Sequence, residues 1–149
     1  MAQLARRYLR GHAPADERDL AKWAGLPLRD ARAGLQAIAG ELVEVGDGRL
    51  MLKGAAEATP PRACLLDQWD PILVGWRTRE TLLEHYPRGG EPEAHFRPFA
   101  YAGARAVATW SLREGAVAMS EPFAPLARRE RQALAADARD VARFFSRDG

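Results

Sequence analysis

Residues 15–53 constrain the fold more than any other stretch, because helix signals and turn signals alternate there at short intervals. A first helix is predicted over about 16–24, opened by an aspartate that can cap its N-terminus. Gly25 can take a positive φ and so end that helix. Pro27 lies just inside a second helix, which is predicted to run to about Leu42. Two helices joined by so short a turn are typical of a helix-turn-helix.

A short β-hairpin is predicted directly after the second helix. Residues 43–45 and 50–52 are short alternating or apolar runs, and Gly46-Asp47-Gly48 between them is a strong turn signal. A helix-turn-helix followed by a hairpin is the outline of a winged helix, in which one helix and one β-ribbon can both touch a duplex.

A further helix is predicted over residues 2–11, so that three helices would share one core. The spacing of apolar residues places two sets face to face: Leu20, Trp23 and Ala24 against Leu28, Ala31, Leu35, Ile38 and Leu42. Residues 53–62 carry glycine and two prolines without apolar periodicity. We therefore expect a winged-helix domain over 1–53, a linker over 54–62 and a second domain over 63–149.

The second domain is predicted to be mainly antiparallel β-structure closed by a helix, which makes the whole chain α+β. A short strand at 63–66 precedes two short helices, one within 69–76 and one capped by Thr78 that reaches Leu83. A loop at 87–93 leads to three strands at about 95–101, 105–112 and 115–120. A helix of about twenty residues starts at Pro125, with an apolar stripe of Leu126, Leu134, Ala138, Val141 and Phe145.

Composition indicates a soluble globular protein without a strong overall electrostatic field. Apolar residues make up 47% and charged residues 28%, and the net charge is +2. All the cationic residues except Lys22 and Lys53 are arginine, which pairs well with phosphate and guanine. An excess of arginine together with alanine also follows from a GC-rich genome. The position of the arginines, rather than their number, must therefore support any nucleic-acid function.

Several classes of function are disfavoured by what the sequence lacks. Cys64 is the single cysteine, and His12, His85 and His95 have no ligand spacing, so we expect no disulfide, no metal and no cofactor. Arginines occupy the N-terminal positions where a signal peptide would be apolar, and no run is long enough to span a membrane. These features predict a cytoplasmic protein with no membrane partner.

The second helix of the predicted winged helix carries three polar residues on one face. Arg29, Arg32 and Gln36 are spaced i, i+3 and i+7, away from the apolar stripe. The two arginines lie near the helix N-terminus, which enters the major groove in helix-turn-helix proteins. Arginine pairs with guanine or phosphate and glutamine with adenine. The alternative is a solvated polar face neutralised in part by Asp30.

Two further pairs of cations are candidates for contact with the DNA backbone. Arg49 and Lys53 flank the second strand of the hairpin, although Asp47 at its tip opposes a strongly basic wing. Arg77 and Arg79 follow Trp76, which could form a phosphate clamp with a stacking surface. The alternative is an arginine folded over the aromatic ring and paired with a nearby carboxylate.

No catalytic residue is predicted. The sequence has no nucleophile beside a histidine in a recognisable motif and no glycine-rich phosphate loop. Asp67 and Asp70 flank Trp69 near a turn, where carboxylates more often cap a helix than perform acid–base chemistry.

Several segments together resemble the C-terminal half of a winged-helix DNA-binding family that includes the AlkZ/YcaQ-type bacterial DNA glycosylases. The resemblance spans nearly the whole chain and is carried by residues 6–15, 21–28, 69–79, 96–110, 122–123 and 141–145. It implies a final winged helix over 1–53, followed by a small β-barrel-like domain with a closing helix. It also implies double-stranded DNA, with or without damage, as the partner.

The family removes alkylated or crosslinked bases without a metal or cofactor, using a Gln-x-Gln pair in the N-terminal part of longer proteins. The glutamines of this chain, Gln3, Gln36, Gln68 and Gln132, have no such spacing. We therefore expect a non-catalytic, truncated DNA-binding module. Two alternatives remain open. The chain is part of a working glycosylase whose catalytic half is on a partner chain or missing from the gene model, or it is a small regulator or interaction domain that no longer binds DNA.

Overall fold

The computed structural model describes residues 1–56, 59, 61–80, 82–86 and 97–146. The chain divides into two compact units. The first unit comprises Met1–Ala58 and Val74–Thr78, and the second comprises Thr59–Leu73 and Arg79–Gly149. Helices and antiparallel strands occur in both described parts, which confirms the predicted α+β class.

Three helices form the core of the first unit: α1 (Ala2–His12), α2 (Glu17–Ala24) and α3 (Leu28–Gln36). The predicted N-cap of α2 is confirmed, because the Asp16 carboxylate accepts from the backbone N–H groups of Arg18 and Asp19. Gly25 ends α2 in the left-handed conformation, with φ +63°. The buried apolar residues of this core are Ala5, Tyr8, Leu9, Ala15, Leu20, Ala31, Leu35 and Ile38.

The prediction that α3 extends to Leu42 is wrong. The helix ends at Gln36, and a 3₁₀ turn over Ala39–Glu41 follows it. Ile38 stays buried although its backbone has left the helix, while Leu42 begins a strand and pairs with Leu52. Pairing in the hairpin is therefore favoured over a further turn of α3.

The hairpin consists of β1 (Leu42–Glu44) and β2 (Leu50–Leu52), paired antiparallel. Its connecting turn uses positive φ at Gly46, Asp47 and Gly48, as the turn signal in the sequence predicts. Ala15, just before α2, forms an isolated bridge to Leu50 with hydrogen bonds in both directions. This bridge attaches the hairpin to the start of α2.

The second unit is built on a four-stranded antiparallel sheet in the order β3 (Cys64–Leu66), β4 (Phe99–Ala102), β5 (Arg105–Arg113), β6 (Ala116–Met119). A register shift between Ala100 and Tyr101 interrupts the β4–β5 pairing. Helix α5 (Arg128–Phe145) contacts both edge strands, β3 and β6. Its Leu134 is buried against Ala100, Ala102, Val107 and Ala108.

Several predictions for the second half need correction. The first of the two short helices is confirmed as one turn, α4 (Pro71–Val74), within the predicted 69–76 segment. Where a helix capped by Thr78 is predicted, residues 78 and 79 have no regular structure, and residues 80 and 82–85 form turns. The Leu83 N–H donates to the Arg79 carbonyl and the Tyr86 N–H to the Leu83 carbonyl. The predicted loop at 87–93, and residues 95–96 of the first predicted strand, lie outside the described residues.

Two predicted core aromatics are not buried. Trp23 is 41% exposed, because its ring packs beside Tyr8 and His12 at the surface of the helical core. Phe145 is 52% exposed, because the last turn of α5 extends beyond the buried cluster centred on Leu134.

Candidate nucleic-acid interface

The exposed face of α3 carries the three polar residues that its spacing predicts. Arg29, Arg32 and Gln36 are exposed, while Ala31, Gly34 and Leu35 of the same helix are buried. Arg29 is the most open of the three, with 86% of its side chain exposed and its Nε 3.4 Å from the carboxylate of Asp30. A contact this long in solvent restrains the guanidinium little.

Arg32 is held by a carboxylate of the neighbouring helix. Its Nε donates a 2.8 Å hydrogen bond to Oε1 of Glu17, and its Nη2 lies 2.8 Å from the same oxygen. Glu17 is the first residue of α2, where a negative charge is also favoured by the helix dipole. The ion pair fixes the direction of the Arg32 side chain across the surface of α2 and α3.

An open groove of about 380 Å³ lies beside this ion pair. Leu35, Leu42 and Leu50 contribute apolar side chains from α3 and from both strands of the hairpin. The remaining lining residues are Glu17, Arg32, Gln36 and Ala39. The groove thus runs between the polar face of α3 and the hairpin, the two elements that the sequence predicts to touch a duplex.

The hairpin carries acidic residues at its turn and a cationic residue at each end of β2. Asp47 is exposed at the tip, and Glu44 accepts a hydrogen bond from the backbone N–H of Gly48. Arg49 turns back toward the helices, where its Nη1 lies 3.4 Å from the Pro14 carbonyl oxygen. That distance is long for an N–H···O bond, and a phosphate would be a stronger acceptor.

Lys53 has a structural contact. Its Nζ donates a 2.7 Å hydrogen bond to the Gly40 carbonyl, in the 3₁₀ turn that follows α3. Beside it, Arg6 forms a two-pronged ion pair with Glu41, which lowers the pKa of that carboxyl mainly through the hydrogen bond. Lys53 is therefore placed to stabilise the turn into the hairpin.

Residues 74–78, which we call the strap, belong to the first unit although they follow β3 in sequence. The strap is held by hydrogen bonds to three different parts of the unit. Tyr8 Oη donates to the Gly75 carbonyl at 2.8 Å, and the Arg77 N–H donates to Oδ1 of Asp19 at 2.8 Å. Trp76 Nε1 donates to the Pro14 carbonyl at 3.2 Å.

The strap explains two features that the sequence left unassigned. Asp19 is 4% exposed, and its two carboxylate oxygens accept from the N–H groups of Asp16 and Arg77. The ring of Trp76 meets His12 edge-on at 5.4 Å, and His12 in turn stacks on Tyr8 at 4.8 Å. Trp76 is thus a packing residue of the first unit.

The structure brings three of the candidate cations to the segment 14–19. Arg32 contacts the side chain of Glu17, Arg49 contacts the Pro14 carbonyl, and the backbone of Arg77 is bound by Asp19. The Arg77 side chain itself is exposed. Arg79 belongs to the second unit, where its carbonyl accepts from Leu83 N–H and burial lowers the pKa of its guanidinium.

Sequence reasoning missed Glu17 and Asp19 as partners of these cations. The Asp-x-x-Asp spacing of residues 16 and 19 is a capping-box signal that could have indicated their helix-terminal position. It contains no information about the strap, which lies more than fifty residues further along the chain.

The described residues show no reactive cysteine, no free carboxylate pair near Trp69 and no metal site. Burial raises the pKa of Cys64, which disfavours the reactive thiolate. Asp70 caps α4 by accepting from the Ile72 N–H at 2.9 Å, as its position near a turn predicts. Within the described ranges, no group of three or more histidine, cysteine or acidic residues could hold a metal ion. The helices in those ranges are too short or too polar to cross a membrane.

Comparisons with known proteins place this arrangement in context. The family model described as DNA glycosylase AlkZ-like matches residues 1–144. The solved structure of the DNA glycosylase AlkZ from Streptomyces sahachiroi superposes with a TM-score of 0.69 at 24% sequence identity. The match covers 93% of this chain and 41% of that one, so the chain spans about two fifths of the length of the solved relative. The curated proteins include no match.

Proposed function

The chain belongs to the AlkZ-like DNA glycosylase family, and we propose that it acts as a DNA-binding module whose first unit is a winged helix. Helix α3 is the recognition helix and the β1–β2 hairpin is the wing. The observation that carries the proposal is the exposed polar face of α3, with Arg29, Arg32 and Gln36 beside an open groove bordered by the hairpin.

The contacts divide into base reading and backbone positioning. Arg29, which is nearly unrestrained, and Gln36 reach base edges in the major groove. Arg32, Arg49 and Arg77 contact phosphates around segment 14–19 and set the register. Lys53 and the acidic hairpin tip contribute little, because Lys53 is already bonded to the Gly40 carbonyl and Asp47 repels phosphate. Arg79 remains a candidate phosphate contact of the second unit.

Base excision is not part of the activity proposed for these residues. An enzyme that excises a base must extrude it and present a water to the sugar, and the glutamines of this chain form no Gln-x-Gln pair. Excision by this protein therefore depends on residues supplied by another chain or segment. The related glycosylase guides the choice of probe, which is duplex DNA with and without alkylated bases.

Fluorescence anisotropy with these duplexes at several salt concentrations tests the proposal. The unmodified chain is expected to bind with a dissociation constant that rises steeply with salt. Replacing Arg29 and Arg32 together by glutamine removes two cations from α3, and we expect affinity to fall by about ten-fold or more near ~0.1 M salt.

A variant with the same charge change elsewhere provides the control. Arg62 and Arg113 lie outside α3 and the hairpin and are not among the proposed DNA contacts, so the double substitution R62Q/R113Q is expected to bind nearly as the unmodified chain does. Equal affinities for the α3 variant and the unmodified chain would refute the recognition-helix assignment. Failure of the unmodified chain to bind any duplex at low salt would favour the interaction-domain alternative.

A further inference from the structure

The acidic residues and the arginines of helix α5, in the second unit, differ in their contacts. Each of its acidic residues is committed to a local contact: Glu130 accepts from the Ala127 N–H, Asp137 from the Leu65 N–H, and Asp140 pairs with Arg143. The Asp137 contact also ties the helix to strand β3 of the sheet. The negative charges of α5 are therefore partly neutralised or turned toward the protein.

The arginines of α5 are mostly left to solvent. The side chains of Arg128 and Arg139 are exposed and make no hydrogen bond or ion pair with any residue that the structure describes. They are eleven residues apart, which is three turns, so they project from the same face about 16 Å apart along the axis. Gln132 and Arg143 lie on that face as well. We call Arg128, Gln132, Arg139 and Arg143 the α5 stripe.

The cations at the start of α5 do not stabilise the helix. Arg128 and Arg129 occupy the first turn, where the partial positive charge of the helix terminus disfavours cations. The N-cap is Ala127, which has no side chain that could cap the helix. A local arrangement that opposes stability without an evident structural gain is more often found where a protein binds something. Here it concentrates positive potential at the exposed start of α5.

The spacing of Arg128 and Arg139 favours an extended anion as the ligand of the stripe. Two arginines whose backbones are about 16 Å apart along a helix are too widely spaced to share one phosphate readily, so a mononucleotide or a free phosphate would engage one of them at a time. A nucleic-acid backbone offers phosphates at regular spacing over that distance. A membrane-binding helix would bury its apolar face in the bilayer, but the apolar face of α5 is already covered by the sheet, where Leu134 packs against Val107 and Ala108. The exposed large apolar residues of α5 are confined to Phe144 and Phe145 at its end.

We infer that the α5 stripe binds the phosphate backbone of duplex DNA, as a second contact surface separate from α3. The contact is independent of sequence, since arginine reads charge and geometry on the backbone rather than base edges. It shares the DNA partner of the proposed function but rests on different residues in a different unit. The two surfaces can therefore be tested separately.

The test replaces Arg128 and Arg139 together by glutamine in the full chain, and measures duplex binding by anisotropy over a range of salt concentrations. Loss of two phosphate contacts is expected to make the plot of log K against log salt shallower by about 1.8, and to weaken binding about ten-fold or more near ~0.1 M salt. The matched control is again R62Q/R113Q, which removes two exposed cations of the same unit that lie outside the stripe. Arg62 also lies 3.8 Å from Asp137 of α5, a long contact from an exposed arginine that contributes little. Its slope is expected to stay close to that of the unmodified chain.

Thermal unfolding followed by circular dichroism separates binding from folding. Removing Arg128 from the first helical turn is expected to leave the melting temperature unchanged or slightly higher. A clear fall in melting temperature would assign the stripe a structural role and overturn the inference. So would an unchanged salt slope in R128Q/R139Q, or the same loss in the control.

The α3 variant makes the two proposals distinguishable. If R29Q/R32Q weakens binding and R128Q/R139Q does not, the inference fails and the proposed function stands. If the stripe variant alone weakens binding, the inference stands and the recognition-helix assignment fails. Binding of the chain to vesicles of anionic lipid that depends on Arg128 and Arg139, without any duplex binding, would overturn both.

Discussion

The buried carboxylate of Asp19 accepts a 2.8 Å hydrogen bond from the backbone N–H of Arg77, 58 residues further along the chain. The other carboxylate oxygen accepts from the Asp16 N–H and closes the capping box of α2. One side chain thus fixes both the start of a helix and the position of the strap. Since Asp19 is almost completely buried, these two hydrogen bonds satisfy carboxylate oxygens that are largely shielded from water.

We expect Asp19→Asn to lower the free energy of unfolding by about 1–3 kcal/mol. Asparagine has the same shape but only one acceptor oxygen, so one of the two N–H groups loses its partner. Urea unfolding measures the change, and Asp30→Asn is the matched control. The Asp30 side chain is 42% exposed and makes only a 3.4 Å contact with Arg29, so its substitution should change stability by less than about 0.5 kcal/mol. Equal effects at the two positions would show that the strap contact does not stabilise the fold.

Tyr8→Phe is expected to lower the free energy of unfolding by about 0.5–1.5 kcal/mol at neutral pH. The hydroxyl of Tyr8 is buried and donates to the Gly75 carbonyl, which loses its donor in the variant. Urea unfolding with tryptophan fluorescence measures the loss. A variant as stable as the unmodified chain would contradict the strap assignment.

The difference in free energy of unfolding between Tyr8→Phe and the unmodified chain should become smaller at alkaline pH. Burial raises the pKa of Tyr8 above its ordinary value of 10.0, with the charges of Asp19 and Asp16 adding to the effect. The folded chain then keeps the phenolic proton at a pH where the unfolded chain has lost it. This contribution is complete below pH 10 and declines as the pH rises toward the folded-state pKa. Tyr8→Phe lacks it, so unfolding at pH 8 and pH 11 should show a smaller difference between the two proteins at pH 11.

Glu17→Gln is expected to raise duplex affinity about two- to five-fold, because it releases Arg32 from its ion pair. A double-mutant cycle with Arg32→Gln identifies the cause. If the ion pair is responsible, Glu17→Gln has little effect once Arg32 is absent. The same gain in both backgrounds would mean that loss of a negative charge, rather than release of Arg32, determines the affinity.

The β4–β5 turn should respond in opposite directions to two small substitutions. Gly103 and Ala104 both have positive φ, at +56° and +64°, as a type I′ turn requires. Gly103→Ala is expected to destabilise the protein by about 1–2 kcal/mol, because an alanine side chain is strained in that conformation. Its Cβ would also lie 2.9 Å from Nη1 of Arg105.

Ala104→Gly removes the same kind of strain and should stabilise the protein by about 0.5–1 kcal/mol, after allowing for the greater flexibility of glycine in the unfolded chain. Thermal unfolding of the two variants beside the unmodified chain measures both effects. A loss of stability in Ala104→Gly would mean that the alanine methyl group makes a packing contact that outweighs its strain.

Local sequence determined the element ends that depend on a cap or a turn signal. The Asp16 cap, the left-handed Gly25 and the Gly46-Asp47-Gly48 turn act within a few residues of themselves, and each appears in the structure where the pattern predicts it. The exposed face of α3 likewise follows from helical periodicity. The end of α3 was mispredicted because the pairing of Leu42 with Leu52, a contact across the hairpin, overrides the apolar spacing.

Only the tertiary structure decided which charges are available to a partner. The sequence shows equally well-spaced cations at Arg29, Arg32, Arg49 and Lys53, but their contacts with Asp30, Glu17, Pro14 and Gly40 differ in length and strength. The docking of the strap on Asp19 depends on a contact between segments far apart in the chain. Such contacts leave no periodic signal, because hydrogen bonds and ion pairs form between neighbours in space, whereas sequence patterns record neighbours along the chain.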